Sequence, residues 1–243
     1  MIFPNNSIVV ATRHRGDNIK TTRLFPGANL VVEPHDAGNY SGIVHVLPED
    51  NRGLAHTREV ILQAATGNVL MLDDDVMSIG KFRGKKKDFL YYDHALAESP
   101  QEMADAVFRH LTLGYAMVGI MYSSKPTLQS RRIWCVFGLN ASLLKKHNIH
   151  YDTTMPCLSD YDMQLRIMEA RLPVAILSQY CYRCAPYAGY PGGQNDGLRT
   201  EVTRRVGLEK FLSHHPRTTS MDMKDGRMEA RIAWKKAGHV KIV

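Results

Sequence analysis

The sequence has no run of apolar residues near the ~20 that a helix needs to cross a bilayer, so a membrane-embedded protein is not expected. Its opening, MIFPNNSIVVATRHR, lacks the basic stretch and long apolar core of a secretory signal. Cysteine is scarce. The four thiols, Cys135, Cys157, Cys181 and Cys184, are too few for a disulfide scaffold in 243 residues and suit a reducing compartment, so a cytoplasmic location is expected. Cys181 and Cys184 form a CxxC, but no second CxxC or paired histidine completes a zinc set, and two thiols in or beside a strand are the plainer reading. Internal repeats and low-complexity segments are missing too.

What is present is an ordinary globular composition, 44% hydrophobic and 23% charged, long enough for a real core. The net charge of +7 is unevenly spread. Residues 199–243 carry eleven Lys/Arg against five Asp/Glu, a net +6, which leaves +1 for residues 1–198. This contrast suggests a body over 1–198 and a basic C-terminal extension over 199–243, packed on the same domain.

β-branched apolar runs occur at residues 7–12 (SIVVAT), 29–33 (NLVVE) and 42–47 (GIVHVL). Leu54, Thr57, Ile61, Leu62 and Ala65 then recur at helical spacing, and Gly67-Asn68 ends that helix. Residues 69–72 (VLML) are wholly apolar, as a strand covered on both faces should be. Strand, helix and strand in this order predict βαβ units, and hence an α/β fold with a mainly parallel mixed sheet flanked by helices. Further along, the pattern predicts a basic glycine-containing loop at 80–87, a helix at 100–113 and strands at 116–121 and 135–139. A helix at 160–170 opens on a capping carboxylate, and short strands follow at 174–177 and 180–183. Residues 185–198 read as loop, 202–212 as helix, and the remainder as polar and irregular.

Two carboxylate clusters carry the chemistry. Asp73-Asp74-Asp75 directly follows VLML, at the strand end where open α/β sheets bind ligands. Three adjacent carboxylates repel one another unless a cation neutralises them, although short acidic runs are also common as solvated turns. Side chains alternate along an extended segment, so Asp73 and Asp75 can share one side. A hard divalent ion held by one or two carboxylates and substrate phosphate oxygens is a usual arrangement. The second cluster lies in residues 151–166, YDTTMPCLSDYDMQLR. Asp160 is the candidate general base there and Asp162 the reserve. As structural alternatives, Asp160 suits a helix N-cap and Asp162 with Arg166 an i, i+4 pair.

Residues 51–76, NRGLAHTREVILQAATGNVLMLDDDV, resemble the nucleotide-sugar-binding core of GT-A glycosyltransferases: Asn-x-Gly-Leu-Ala, an Arg on an amphipathic helix, Thr-Gly, then an apolar strand ending in Asp-x-Asp. The resemblance spans about residues 7–183. It implies a Rossmann-like GT-A fold and a metal-dependent hexosyl- or pentosyltransferase, with Mn2+ or Mg2+ as cofactor and a nucleotide sugar, a UDP-sugar, as donor. It places Thr12, Arg13 and Glu33 near the nucleoside, with Asn51, Arg58, Asp73 and Asp74 on the donor. It gives Asp73 and Asp75 to the metal, with His214 of the His214-His215 pair as a third ligand. Glu59 stands where many members have Asn, and Ser159 stands where the acceptor-side motif usually has Glu.

For the acceptor, Lys85, Lys86 and Lys87 in the basic stretch, Arg131 and Arg132, and Trp134 form one candidate set. Tyr190, Gly192 and Gly193, in a Gly- and Tyr-rich loop able to close over substrate, form another. Basic clusters are footprints for polyanions, though most such runs are simply solvated faces. In its length, its DDDV strand end at 73–76 and its Gly192-Gly193 loop, the compact basic chain is similar to the phage TET-associated DNA glycosyltransferases. That resemblance implies a hydroxymethylated pyrimidine in DNA as acceptor; a monomer or weak oligomer is expected. A glycan acceptor is the alternative within the same fold. A sugar-nucleotide nucleotidyltransferase would need a Gly-rich phosphate loop after the first strand, where TRHRGDN stands at 12–18. A non-catalytic DNA-binding protein would account for the charge but not for two carboxylate clusters.

Overall fold

The computed structural model describes residues 1–86, 89–96, 98–122, 131–185, 200–224 and 227–243. The first three apolar runs become β1 (Ser7–Ala11), β2 (Asn29–Val32) and β3 (Ile43–Val46). Helix α1 (Leu54–Ala64) follows and leads into β4 (Asn68–Asp73). These four strands pair in parallel in the order β3-β2-β1-β4, so the ends of β1, β2 and β4 share one edge of the sheet.

The chain continues through β5 (Val76–Lys86), β6 (Phe89–Asp93), α2 (Ser99–Thr112), β7 (Met117–Tyr122) and β8 (Val136–Asn140). Then come α3 (Ala141–Lys146), α4 (Ser159–Glu169), β9 (Val174–Cys184) and α5 (Glu201–His214). The C-terminal part adds β10 (Thr219–Lys224), β11 (Arg227–Ile232), α6 (Trp234–Ala237) and β12 (Val240–Ile242). Beyond β4 the sheet runs β8-β7-β9-β5-β6 with mixed directions, and β12 pairs with β9. The expected α/β class, a mixed sheet flanked by helices, is observed.

β4 shows why a wholly apolar run is needed here. Val69 and Met71 pack on one face with Ile61, Leu62 and Phe137, while Leu70 and Leu72 pack on the other with Met103 and Val107. Fully burying each such side chain contributes roughly 1.5–3 kcal/mol. Asn140 caps α3, its Oδ1 accepting the Leu143 N–H at 3.0 Å. Thr200 caps α5 and exchanges hydrogen bonds with Thr203 in a capping box.

Four expectations are corrected. Residues 80–86 are not a loop: they continue β5, which pairs with β6 and β9. The predicted strands at 174–177 and 180–183 are one strand, β9, whose register shifts between Leu177 and Cys181 against β7. Helix α4 begins one residue early, and its N-cap is Leu158 in the left-handed region at φ 64°. Asp160 therefore lies inside the first turn instead of capping it. Beyond α5 the chain is not irregular: β10 and β11 form a hairpin, and β12 joins the main sheet beside β9.

Candidate active-site cleft

A cleft of about 480 Å³ opens at the sheet edge where β1, β2 and β4 end. Thr12, Arg13 and Glu33 line its first part, Arg58 and Asp73–Asp75 its middle, and Asp160, Arg132 and Trp134 its far side. Side chains more than 140 residues apart in the sequence are thus brought into one space.

The acidic triplet is held from several directions. Asp73 N–H donates to the Cys135 carbonyl at 2.8 Å, and Thr21 Oγ1 donates to the Asp73 carbonyl at 2.6 Å. Thr21 Oγ1 also accepts the Val76 N–H at 3.1 Å, and Ala185 N–H donates to the Asp75 carbonyl at 2.8 Å. The side chains then have separate partners. Asp73 Oδ1 accepts from Arg58 Nη2 at 2.9 Å. Asp74 Oδ2 accepts from Thr12 Oγ1 at 2.9 Å and from Arg15 Nε at 3.2 Å. Asp75 meets the Cys184 thiol, yet its Oδ1 is buried with no hydrogen-bond partner among the described residues.

The electrostatics follow from that packing. Burial raises the Asp75 carboxyl to about 7, helped by the neighbouring Asp73 and Asp74 charges. Burial likewise raises Asp74 to about 6, against the lowering effect of Arg15 and Thr12. Burial works against the Arg58 charge, but the Asp73 and Asp160 carboxylates more than compensate and lift its pKa above the usual arginine value. An orphaned buried oxygen on Asp75, with the Asp73 carboxylate beside it, fits a hard divalent cation of the Mg2+ or Mn2+ type.

Arg58 ties this edge to the start of α4. Its Nη1 donates to Ser159 Oγ at 3.1 Å, and its guanidinium lies 5.3 Å from the Phe137 ring centroid. Next to Ser159, Asp160 sits in the first turn of α4, where the backbone N–H groups of Asp160 and Tyr161 reach its carboxylate. Burial nevertheless raises its pKa, with Arg58 opposing and Asp73 reinforcing that shift. Trp134 packs against Tyr161, with ring centroids 6.0 Å apart, and Arg132 lies over the same Tyr161 ring. Their connector is clamped by the buried Gln164 of α4, which donates to the Arg131 carbonyl at 2.6 Å and accepts the Ile133 N–H at 3.0 Å.

At the other end Arg13 Nε lies 3.0 Å from Glu33 Oε2, and Arg13 also donates to Asn51 Oδ1. Asn51 N–H donates to Glu33 Oε1 at 2.9 Å. Asn51 therefore braces the cleft wall from behind and does not line it.

Several candidates lie elsewhere. Asp162 is fully buried on the inner face of α4 and does not line the cleft. It pairs with Arg166 at 2.6 Å, His214 at 2.9 Å and His215 at 3.1 Å. Those partners draw its pKa below the usual range although burial pushes upward. A reserve base at Asp162 is thereby corrected, since its oxygens are engaged away from the cleft. His214 is corrected with it. It is held by Asp162 and lies 3.4 Å from Asp152, and it is not among the residues that line the cleft with Asp73 and Asp75. Lys85 and Lys86 lie near the far end of β5. At ~3.3 Å per residue the strand carries them about 30 Å from Val76, toward the opposite edge of the sheet. Lys87, Tyr190, Gly192 and Gly193 lie outside the described residues.

Other cleft residues give weak signals in the sequence. Arg204 and Arg205 of α5, with Glu229 and Ala230 of β11, form a wall contributed by the C-terminal segment. Helix α5 approaches closely because position 207 is glycine: a Cβ there would fall 2.4 Å from Cys157 Sγ. Cys135 also lines the cleft. It has φ 53° and is the centre of a tight turn in which Val136 N–H donates to the Trp134 carbonyl at 2.5 Å. Its thiol meets that of Cys184. Cys181 packs into the core on one face of the sheet, whereas Cys184 packs on the other, so the CxxC is not a chelating pair: three residues along a strand reverse the face.

No protein-family model and no curated protein sequence matches the chain. Among solved structures, Staphylococcus aureus TarS residues 1–349 in complex with UDP-GlcNAc is similar at a TM-score of 0.45 and 14% identity, over 88% of this chain and 72% of that one. The same TarS fragment in complex with UDP gives a TM-score of 0.43 and 12% identity, over 96% and 97%.

Proposed function

We propose that the chain is a metal-dependent glycosyltransferase that moves a sugar from a nucleotide sugar, a UDP-sugar on the GT-A resemblance, to a hydroxyl acceptor. The observation that carries this reading is the single cleft joining Thr12, Arg13 and Glu33 to Asp73–Asp75, Arg58 and Asp160. Arg13 and Glu33 present a donor and an acceptor to a nucleoside. Asp73 and Asp75 would hold the cation, which when bound offsets charge on the departing diphosphate. Arg58 fixes the Asp73 carboxylate and sets its distance from α4 through Ser159. Asp160 would take the acceptor proton as the sugar–phosphate bond breaks.

The acceptor side favours a glycan or similar hydroxyl-bearing molecule. Trp134 and Tyr161 line the cleft as a packed aromatic pair against which a sugar can rest, and Arg132, Arg204 and Arg205 offer cations to any anionic group it carries. A DNA acceptor with a hydroxymethylated pyrimidine is the second reading, and those three arginines are its support at the cleft. The lysines of β5 do not add to it there, because the strand leads them away.

The test incubates the protein with Mn2+, a panel of nucleotide sugars, and three acceptor classes: oligosaccharides, plain DNA and hydroxymethylated DNA. Mass shifts are read on acceptors and digested nucleosides. A sugar-sized shift that Asp75→Asn abolishes supports the reading. Neither hydrolysis nor transfer with any donor in the presence of metal overturns it, and a shift confined to hydroxymethylated DNA selects the second acceptor.

A further inference from the structure

Beside the donor end of the cleft, Glu33, His35 and Asp50 place three ligand atoms within 4.8 Å of one another. We infer that they form a second, transition-metal site for a cation of the Zn2+ type, separate from the acidic triplet. His35 Nδ1 lies 2.6 Å from Asp50 Oδ1 and 3.8 Å from Glu33 Oε2. Ligands on a tetrahedral zinc with bonds of ~2.0–2.2 Å are roughly 3.3–3.6 Å apart, so modest side-chain adjustment brings all three onto one ion.

Glu33 is the most buried of the three. Its side chain is only 5% exposed, and Oε2 has no hydrogen-bond partner among the described residues although Oε1 accepts the Asn51 N–H. Arg13 Nε is 3.0 Å from Oε2, close enough for charge attraction but without hydrogen-bond alignment. A cation there would take over that oxygen and release Arg13, which keeps its bond to Asn51. The other nitrogen of His35, Nε2, lies 2.6 Å from His14 Nε2, which orients the ring as outer partners of metal-bound histidines do. One imidazole and two carboxylates favour zinc and its neighbours over magnesium, whereas an all-oxygen triplet favours the hard ions.

The site bears on activity because Glu33 and Arg13 line the cleft. Zinc bound to Glu33 and a nucleoside hydrogen-bonded to Glu33 exclude each other, so zinc acts as a competitor of the donor. This consequence rests on the glycosyltransferase reading; the binding of the ion does not.

The experiment titrates the full chain with Zn2+ alone by calorimetry and follows Co2+ by its visible absorption, in wild type, His35→Ala, Asp50→Asn and Asp75→Asn. His35 and Asp50 are solvent-accessible, and circular dichroism checks that the variants fold. A Zn2+ equivalent that Asp75→Asn retains is expected in wild type, with its affinity at least tenfold lower in His35→Ala and in Asp50→Asn. Zinc affinity unchanged in His35→Ala, or lost in Asp75→Asn and kept in His35→Ala, overturns the site. UDP affinity is then measured with and without Zn2+. A Zn2+-dependent loss in wild type that vanishes in His35→Ala supports the competition, and equal UDP affinity with and without Zn2+ overturns it. A wild type that binds no UDP at all refutes the donor reading, while the zinc titration still decides the site.

Discussion

Arg58 Nη1 donates to Ser159 Oγ at 3.1 Å across 101 residues of sequence, while Nη2 of the same guanidinium holds Asp73. Ser159, which stands where the GT-A resemblance would place a glutamate, thus has a structural partner. A neutral hydroxyl suffices here because Asp73 and Asp160 already balance the buried guanidinium.

Removing either partner should have unequal effects. Ser159→Ala deletes one hydrogen bond and should cost about 1–2 kcal/mol. Arg58→Ala leaves Asp73 and Asp160 without their cation and should cost roughly 3–5 kcal/mol. Urea unfolding of both variants checks this, and equal losses would contradict the bridging role.

Asp75 should make the metal-free protein less stable as pH rises. A carboxyl raised to about 7 favours the folded state fully below pH ~4, where it is protonated in both states. That advantage is lost as pH climbs through 7. The full swing is on the order of 4 kcal/mol for one group. Asp75→Asn should therefore raise the Tm of the metal-free protein at pH 8 and leave it nearly unchanged at pH 4. Adding Mn2+ should stabilise the wild type at pH 8 and do little for the variant.

Asp160→Asn should separate binding from chemistry. Nucleotide affinity is expected to match wild type, while sugar transfer falls by about 10²–10⁴-fold, the usual contribution of a positioned base. Equilibrium binding of UDP and single-turnover transfer measure the two halves. Retained transfer would remove Asp160 from the base role.

Asp162 should matter for folding instead. Its pairing with Arg166, His214 and His215 holds its pKa low, so its stabilising effect is present at neutral pH and fades as pH falls through that lowered value. Asp162→Ala should cost roughly 3–5 kcal/mol at pH 7 by removing the partner of Arg166 and of the buried His215 Nε2, with a smaller loss near pH 3; His215 Nδ1 keeps Glu169. Denaturation at the two pH values distinguishes this from a pH-independent packing defect.

The first half of the sheet was legible because its strands are local runs of β-branched and apolar residues, and β4 advertises burial on both faces. The acidic triplet was legible for the same reason: it ends a strand whose place was clear. The basic stretch at 80–86 misled because glycine and lysine favour loops locally. β5 forms anyway because β9 on one side and β6 on the other satisfy its backbone. Asp162 and Asp160 look equivalent as a sequence pair, yet two residues along a helix turn by about 200°. Asp160 therefore faces the cleft and Asp162 is sealed on the buried face of α4.

By itself the sequence determined the α/β class, the strand that ends in Asp73–Asp75 and the helix that carries Arg58, because each depends on spacing within one short segment. Only the tertiary structure decided which carboxylate of the second cluster meets the cleft. It also decided that His214 serves Asp162, that Lys85 and Lys86 lie far from the acidic triplet, and that the basic tail supplies a cleft wall. Those outcomes depend on strand order and helix rotation, which arise from packing between distant segments and leave no local periodicity to read.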